Sequence, residues 1–247
     1  MKTVVIGDIH GRTDWKEIVD RYPIEETMFV FLGDYLDSHE EITVKQQCSN
    51  FSEILEFKRS NPENVVLLMG NHDLHYFSSL FNCSGFSGNA YKRSHSEMED
   101  AVRSGLIKFI HIDRERKIIF SHAGVSEVWL GMRFGSKVLD EAMIDRLETE
   151  MNVSDLDFAI DYTDSYGDDP WQGPGWIRPM SLLSHAVEGF TQFVGHTRTA
   201  GENAVMIKSL KNREDEIWLI DCLPNEYCEI GDDGNINVKQ VKDGKEN

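Results

Sequence analysis

Residues able to bind divalent metal ions recur in one setting along this chain. Val4-Val5-Ile6 runs into Gly7-Asp8-Ile9-His10-Gly11, and Met28 to Leu32 runs into Gly33-Asp34-Tyr35-Leu36-Asp37. Val65 to Met69 runs into Gly70-Asn71-His72-Asp73, Ile118 to Phe120 into Ser121-His122-Ala123-Gly124, and Phe190 to Val194 into Gly195-His196-Thr197. Five apolar runs thus end in a small residue followed by Asp, Asn or His. Four of the nine histidines (His10, His72, His122 and His196) and Asp8, Asp34 and Asn71 fall in these positions. One such carboxylate alone is ordinarily a turn or capping residue. The joint pattern argues otherwise, because ligands bind at the carboxyl ends of strands in α/β sheets. Nitrogen and oxygen donors without sulfur suit manganese, iron or zinc better than calcium. Seven candidates are too many for one ion. Two ions sharing a carboxylate, about 3.5–4 Å apart as in two-metal hydrolytic sites, use them better.

The elements that must position these residues are legible in outline. The runs at residues 3–7, 28–32 and 65–69 are short and continuously apolar, as in strands buried on both faces. Between them, Thr13-Asp14 can cap a helix to about Arg21, and Glu40 to Arg59 carries apolar residues beside a long polar face. This β-α-β-α-β order predicts an α/β fold with a substantially parallel sheet. Ser94 to Ser104 reads as a further helix, and 107–112 with 117–120 as a hairpin turning at Asp113-Arg114-Glu115-Arg116. Strand signals fade from Ser126 to about Glu188. Val138 to Met151 reads as an amphipathic helix there, the acidic stretch 140–169 as a solvated face, and Pro170 to Pro179 holds three of six prolines and two of five tryptophans. Residues 126–188 therefore read as a cap inserted between core strands of one domain spanning 1–247. Short strands return at 204–209, 216–221, 226–230 and 236–241, before a polar tail.

A chain of 247 residues can bury one large core, and its net charge of -18 disfavours nucleic acid and anionic membrane surfaces as partners. A phosphorylated substrate stays open, since bound cations can reverse the local potential. No apolar run is long enough to span a bilayer, and Met1-Lys2 leads into a strand pattern rather than a signal peptide. Cys48, Cys83, Cys222 and Cys228 lack C-x-x-C spacing and fit neither a disulfide framework nor a thiolate zinc site. The expectation is a cytoplasmic protein with free thiols. The oligomeric state is not legible.

Taken in order, the five motifs resemble those of calcineurin-like metallophosphoesterases, and most closely the compact bacterial and phage form of the phosphoprotein phosphatase branch. The likeness runs from residue 4 to about 197. It implies a layered α/β/β/α sandwich of two mixed sheets flanked by helices, with a helical or loop cap. It also implies two divalent ions, manganese first, with iron or zinc as alternatives. Asp8 and His10 would bind the first ion, Asp34 would bridge, and Asn71, His122 and His196 would complete the second, with hydroxide held between the ions attacking phosphorus. His72 resembles the catalytic histidine that protonates the leaving oxygen, with Asp37 orienting it and favouring its cationic form.

One departure matters. The family usually continues with Arg-Gly after the aspartate matched by Asp37, and that arginine clamps the phosphate. Here the chain reads Ser38-His39. Arg178, in Trp176-Ile177-Arg178-Pro179, becomes the candidate clamp beside Asn71, against the plainer reading of an arginine stacked on Trp171 or Trp176. His39 reads as an exposed loop histidine, and His75, His95, His111 and His185 receive no role. The implied activity is hydrolysis of phosphoserine or phosphothreonine in proteins. The alternatives are hydrolysis of a small phosphorylated metabolite or dinucleoside polyphosphate, and a binding scaffold that has lost turnover, which the complete ligand set opposes.

Overall fold

The computed structural model describes residues 1–78, 84–150 and 168–242. Strands β1 (Lys2–Ile6), β2 (Thr27–Phe31) and β3 (Val65–Leu68) lie parallel, as their unbroken apolar runs predict. They are joined by α1 (Asp14–Val19) and α2 (Val44–Ser60). Helix α2 starts at Val44 rather than near Glu40 because Thr43 and Gln46 form a capping box: the Gln46 amide donates to the Thr43 hydroxyl at 3.3 Å, and the Thr43 amide to Gln46 Oε1 at 3.0 Å. Two further helices follow, α3 (Asn71–Phe77) and α4 (Gly88–Arg103). Helix α4 begins before the expected Ser94 because the Ser87 hydroxyl already caps it through the Ala90 amide.

The expected strand at 107–112 is two strands. β4 (Ile107–Lys108) closes the first sheet beside β3, and β5 (Ile110–Asp113) opens a second sheet by pairing antiparallel with β6 (Ile118–Ser121). Helices α5 (Glu127–Phe134), α6 (Glu141–Glu150) and α7 (Pro179–His185) follow. Met151 and the acidic residues 151–167 lie outside the described residues. Strands β7 (Thr191–Val194), β8 (Val205–Lys208) and β9 (Glu216–Leu219) complete the second sheet in the order β5-β6-β7-β9-β8. β10 (Glu226–Ile230) and β11 (Ile236–Gln240) return to the first, whose order is β11-β10-β1-β2-β3-β4.

Alternating side chains divide the core into layers. Val4, Ile6, Phe29 and Phe31 face the helices with Phe51 and Ile54, whereas Val5, Val30 and Leu32 face Phe120, Phe193 and Ile220 of the second sheet. Ile217, Leu219 and Val194 pack on Leu182 and Leu183 of α7. The result is the layered α/β/β/α sandwich of two mixed sheets. No helix among the described residues is long and apolar enough to cross a membrane.

Candidate active site

The carboxyl ends of β1, β2, β3, β6 and β7 meet at one edge of the sandwich and bring Asp8, His10, Asp34, Asn71, His72, His122 and His196 together. The turns that follow these strands are sharp. His10, Asp34, Asp37 and His196 adopt left-handed backbone angles, with φ of 45°, 52°, 58° and 63°. Histidine and aspartate tolerate that region better than most residues with a Cβ. Close approach also requires two glycines: a Cβ on Gly70 would lie 2.1 Å from Asp34 Oδ1, and one on Gly195 would lie 1.9 Å from Asp8 Oδ1.

Three histidines are pinned by a backbone carbonyl. His10 Nδ1 lies 3.0 Å from Leu36 O, His122 Nδ1 2.8 Å from Leu32 O, and His196 Nε2 3.1 Å from Trp176 O. A neutral imidazole has one N–H, so a carbonyl on one nitrogen leaves a lone pair on the other. For His10 that lone pair faces Asp34 Oδ2 at 3.8 Å and Asp8 Oδ2 at 4.0 Å. For His196 it faces Asn71 Oδ1 at 2.8 Å. Burial first of all holds His10 neutral, at about 4, and holds His196 well below the ordinary histidine range. Acceptors therefore face acceptors across short gaps, a clash that cations relieve. The donor set fits divalent metal.

His122 differs in its charge surroundings. Its Nε2 lies 2.9 Å from Asn71 Oδ1 and 3.4 Å from Asp34 Oδ2. Burial pushes its pKa down, but Asp34 and Asp8 outweigh burial and push it up to about 10. In the metal-free protein a proton occupies that direction. Burial would raise Asp34, but His122 and His72 outweigh it and hold its carboxyl well below the usual range. Asp8, Asp34 and His122 place ligand atoms within 4.8 Å of one another.

A second cluster adjoins the first. Asp37 Oδ2 lies 3.0 Å from His72 Nδ1 and 2.6 Å from His75 Nε2, while the Tyr76 hydroxyl donates to Asp37 Oδ1. Burial alone would raise the Asp37 carboxyl, but the hydrogen bonds from His72, His75 and Tyr76 outweigh it and bring it to about 2. Burial lowers His72 while Asp34 and Asp37 raise it, and the net direction is upward. The His72 amide also donates to Asp34 Oδ1 at 2.9 Å, tying the two clusters together.

Arg178 lines the same cavity of 230 Å³ as Asp8, His10, Asp34 and His72. Its guanidinium donates to His196 O and to Thr197 Oγ1, both at 3.0 Å. Ser38 supplies no cation: its hydroxyl accepts the Glu40 amide at 3.0 Å, as a turn residue does. His39 is exposed, 4.8 Å ring to ring from His10, and also lines the cavity.

Several neighbours escaped the sequence reading. Asp73 accepts the amides of Gly70 and Asp34 at 2.8 Å and of Tyr35 at 2.9 Å, so it fastens the Asp34 turn to the Asn71 turn. His75 and Tyr76 follow His72 at the i+3 and i+4 spacing of one helix face, a signal that could have found them. Arg198 and Asp221 line the cavity from beyond the last motif.

A two-sheet sandwich with these ligands at its strand ends defines a metal-centred hydrolytic site. The sequence model of the calcineurin-like phosphoesterases matches residues 1–197, and the chain belongs to that family. The symmetrical bis(5'-nucleosyl)-tetraphosphatase of Sodalis glossinidius is 29% identical over 136 residues, covering 52% of this chain and 45% of the relative. Its namesake in Klebsiella pneumoniae is 29% identical over 205 residues, covering 78% and 64%. The chain thus spans about half to two thirds of the length of these curated relatives. Among solved structures, a protein serine/threonine phosphatase from Saccharomyces cerevisiae superposes with a TM-score of 0.57 at 14% identity, covering 100% of this chain and 81% of that one. A cold-active protein-tyrosine phosphatase of a Shewanella species gives 0.56 at 18% identity, covering 97% and 80%. These likenesses concern the fold.

Proposed function

We propose that this chain is a metal-dependent phosphomonoester hydrolase acting on alkyl phosphates, with phosphoserine or phosphothreonine in proteins as the substrate class. The observation that carries the reading is the pairing of the two clusters: lone pairs gathered for cations beside a histidine poised on a carboxylate. Asp8, His10 and Asp34 would hold one ion, and Asp34, Asn71, His122 and His196 the other, with manganese the first choice for this donor set. When bound, the ions would neutralise phosphoryl oxygens and supply acidified water as nucleophile.

The chain's own groups do the rest. Asp37 orients His72 through Nδ1 and leaves the Nε2 proton to face the leaving oxygen. An alkoxide is a poor leaving group and needs that proton, whereas a nucleoside diphosphate does not. Arg178, braced by His196 O and Thr197 Oγ1, presents a guanidinium that can grip phosphoryl oxygens. Asn71 lends its amide to the same oxygens.

A second reading, hydrolysis of a dinucleoside tetraphosphate, is favoured by the symmetrical bis(5'-nucleosyl)-tetraphosphatases among the relatives. A substrate panel with added Mn²⁺, before and after chelation, separates the two. The expected result is hydrolysis of a phosphoserine peptide and an aryl phosphate that chelation abolishes. Faster turnover of diadenosine tetraphosphate than of the peptide would install the second reading. Two bound ions with no turnover of any substrate would leave a binding scaffold.

A further inference from the structure

We propose that Asp221 is a carboxylate of the metal centre, serving the ion held by Asp8 and His10. The proposal rests on the two-ion reading above. Asp221 is 7% exposed and lines the cavity with Asp8, His10 and Asp34. Among the described residues its carboxylate has no hydrogen-bond donor and no cation within ion-pair distance, and it opens to the cavity. Burying a charge in that state is costly.

Among the described residues, every other buried carboxylate is held. Asp8 takes the His196 amide, Asp34 the His72 amide, Asp37 side-chain donors and Asp73 three amides. Asp215 takes the Gly189 amide, Glu226 the Ala204 amide, and Glu229 faces Lys239. Arg198, Arg12 and Arg178 act on Asp221 through space, none within ion-pair distance, and Arg12 Nη1 is itself without a hydrogen-bond partner. Arg12 Nε donates to Glu40 at 2.8 Å, and Arg198 donates to Leu223 O at 2.6 Å and pairs with Glu202 at 3.5 Å. The cavity that Asp221 lines is the side from which a cation can reach its carboxylate.

Position and donor count point the same way. Asp221 follows β9, which lies parallel to β7, so it is a further strand end at the same edge. A Cβ on Gly7 would lie 1.9 Å from Ile220 O and 3.4 Å from Asp221 Cα, so this backbone packs directly on the turn that carries Asp8. Buried carboxylates that share a cavity are paired or coordinate a metal. The ion at Asn71, His122 and His196 has four protein groups once Asp34 is counted. Its neighbour has three, and Asp221 supplies a fourth. Two dications carry four charges, of which Asp8 and Asp34 offset only two.

The test is Asp221→Asn, titrated with Mn²⁺ by calorimetry and by metal analysis after dialysis, with Arg198→Ala alongside. One of the two affinities should weaken by about 10- to 100-fold, the range seen when groups supporting a metal site are removed. The other should hold, and the metal-free melting temperature should not fall. Arg198→Ala should keep both affinities. Unchanged Mn²⁺ binding in a folded Asp221→Asn overturns the proposal, and so does an equal loss in Arg198→Ala, which would make Asp221 its counter-ion. Should the asparagine variant not fold, Asp221→Cys titrated with Cd²⁺ decides. A thiolate-to-cadmium absorption band absent from the wild type supports the assignment, and its absence overturns it. Wild-type protein that binds no metal would sink the two-ion reading itself, a distinct outcome.

Discussion

The two histidine clusters use one side chain for different ends. At His10 and His196 the far nitrogen rests on a backbone carbonyl, which fixes the tautomer without adding charge. Burial then keeps the ring neutral, with a lone pair directed at the cavity. At His72 the far nitrogen rests on the Asp37 carboxylate, and the ring is drawn toward its cationic form. In this site the carbonyl behind His10 or His196 leaves a neutral ring with a lone pair, whereas the carboxylate behind His72 favours a proton on the ring. His122 shows the limit of the rule. It is pinned on Leu32 O, yet Asp34 and Asp8 in front of it favour a proton until an ion arrives.

The harshest way to break this contrast is Asp34→Asn, because on the two-ion reading that carboxylate would serve both ions, and it accepts the His72 amide. Both ions should be lost and hydrolysis should fall to background. Two bound metals with normal turnover would refute the bridging role. His72→Asn should instead spare metal content and lower kcat by about 10²–10⁴, as for a lost proton-transfer group. The loss should be smaller for an aryl phosphate than for a phosphoserine peptide. An equal loss on both would recast His72 as an electrostatic group. Loss of metal would move it into the other cluster.

Arg178→Ala should lower kcat/KM for phosphomonoesters by roughly 2–3 kcal/mol, the scale of hydrogen bonds to charged groups, with a raised KM. Arg178→Lys should recover only part, since a point charge replaces a planar fork. Unchanged kinetics would pass the clamp to His39 or to amides near Asn71. The smallest effect concerns His122. At neutral pH its raised pKa keeps it protonated without metal, so an ion must displace that proton. Mn²⁺ affinity should therefore rise with pH, by up to about tenfold per unit, and binding should release close to one proton. Calorimetry in buffers of different ionisation enthalpy reads that proton. No release would mean that His122 is already neutral.

Much of this arrangement could be read before any coordinates. The five turns announce themselves because an unbroken apolar run, a small residue and a polar ligand type each have a separate physical cause. What stayed hidden lacked one of those marks. Asp221 ends a strand without a glycine, so Leu219-Ile220-Asp221 looks like any strand leaving the core. Helix α3 is buried along its whole length and has no solvent-facing side, so no amphipathic pattern marks it as a helix. The split at Phe109 is invisible because β4 and β5 lie in one apolar stretch, and only the two sheets tell them apart. The helices α5 and α7 are short, eight and seven residues, too brief for periodicity to register.

The His196 amide reaches back to Asp8 at 3.1 Å, across 188 residues of chain, and Gly195 leaves no room for a side chain between them. The turn after β1 of one sheet and the turn after β7 of the other are thus in mechanical contact. Ions seated there would act as rivets through both sheets, which cannot part until the rivets are out. Metal supply would then govern how long each molecule survives as well as how fast it turns over. A stripped molecule would unfold, and meet proteases, on a faster clock than a loaded one.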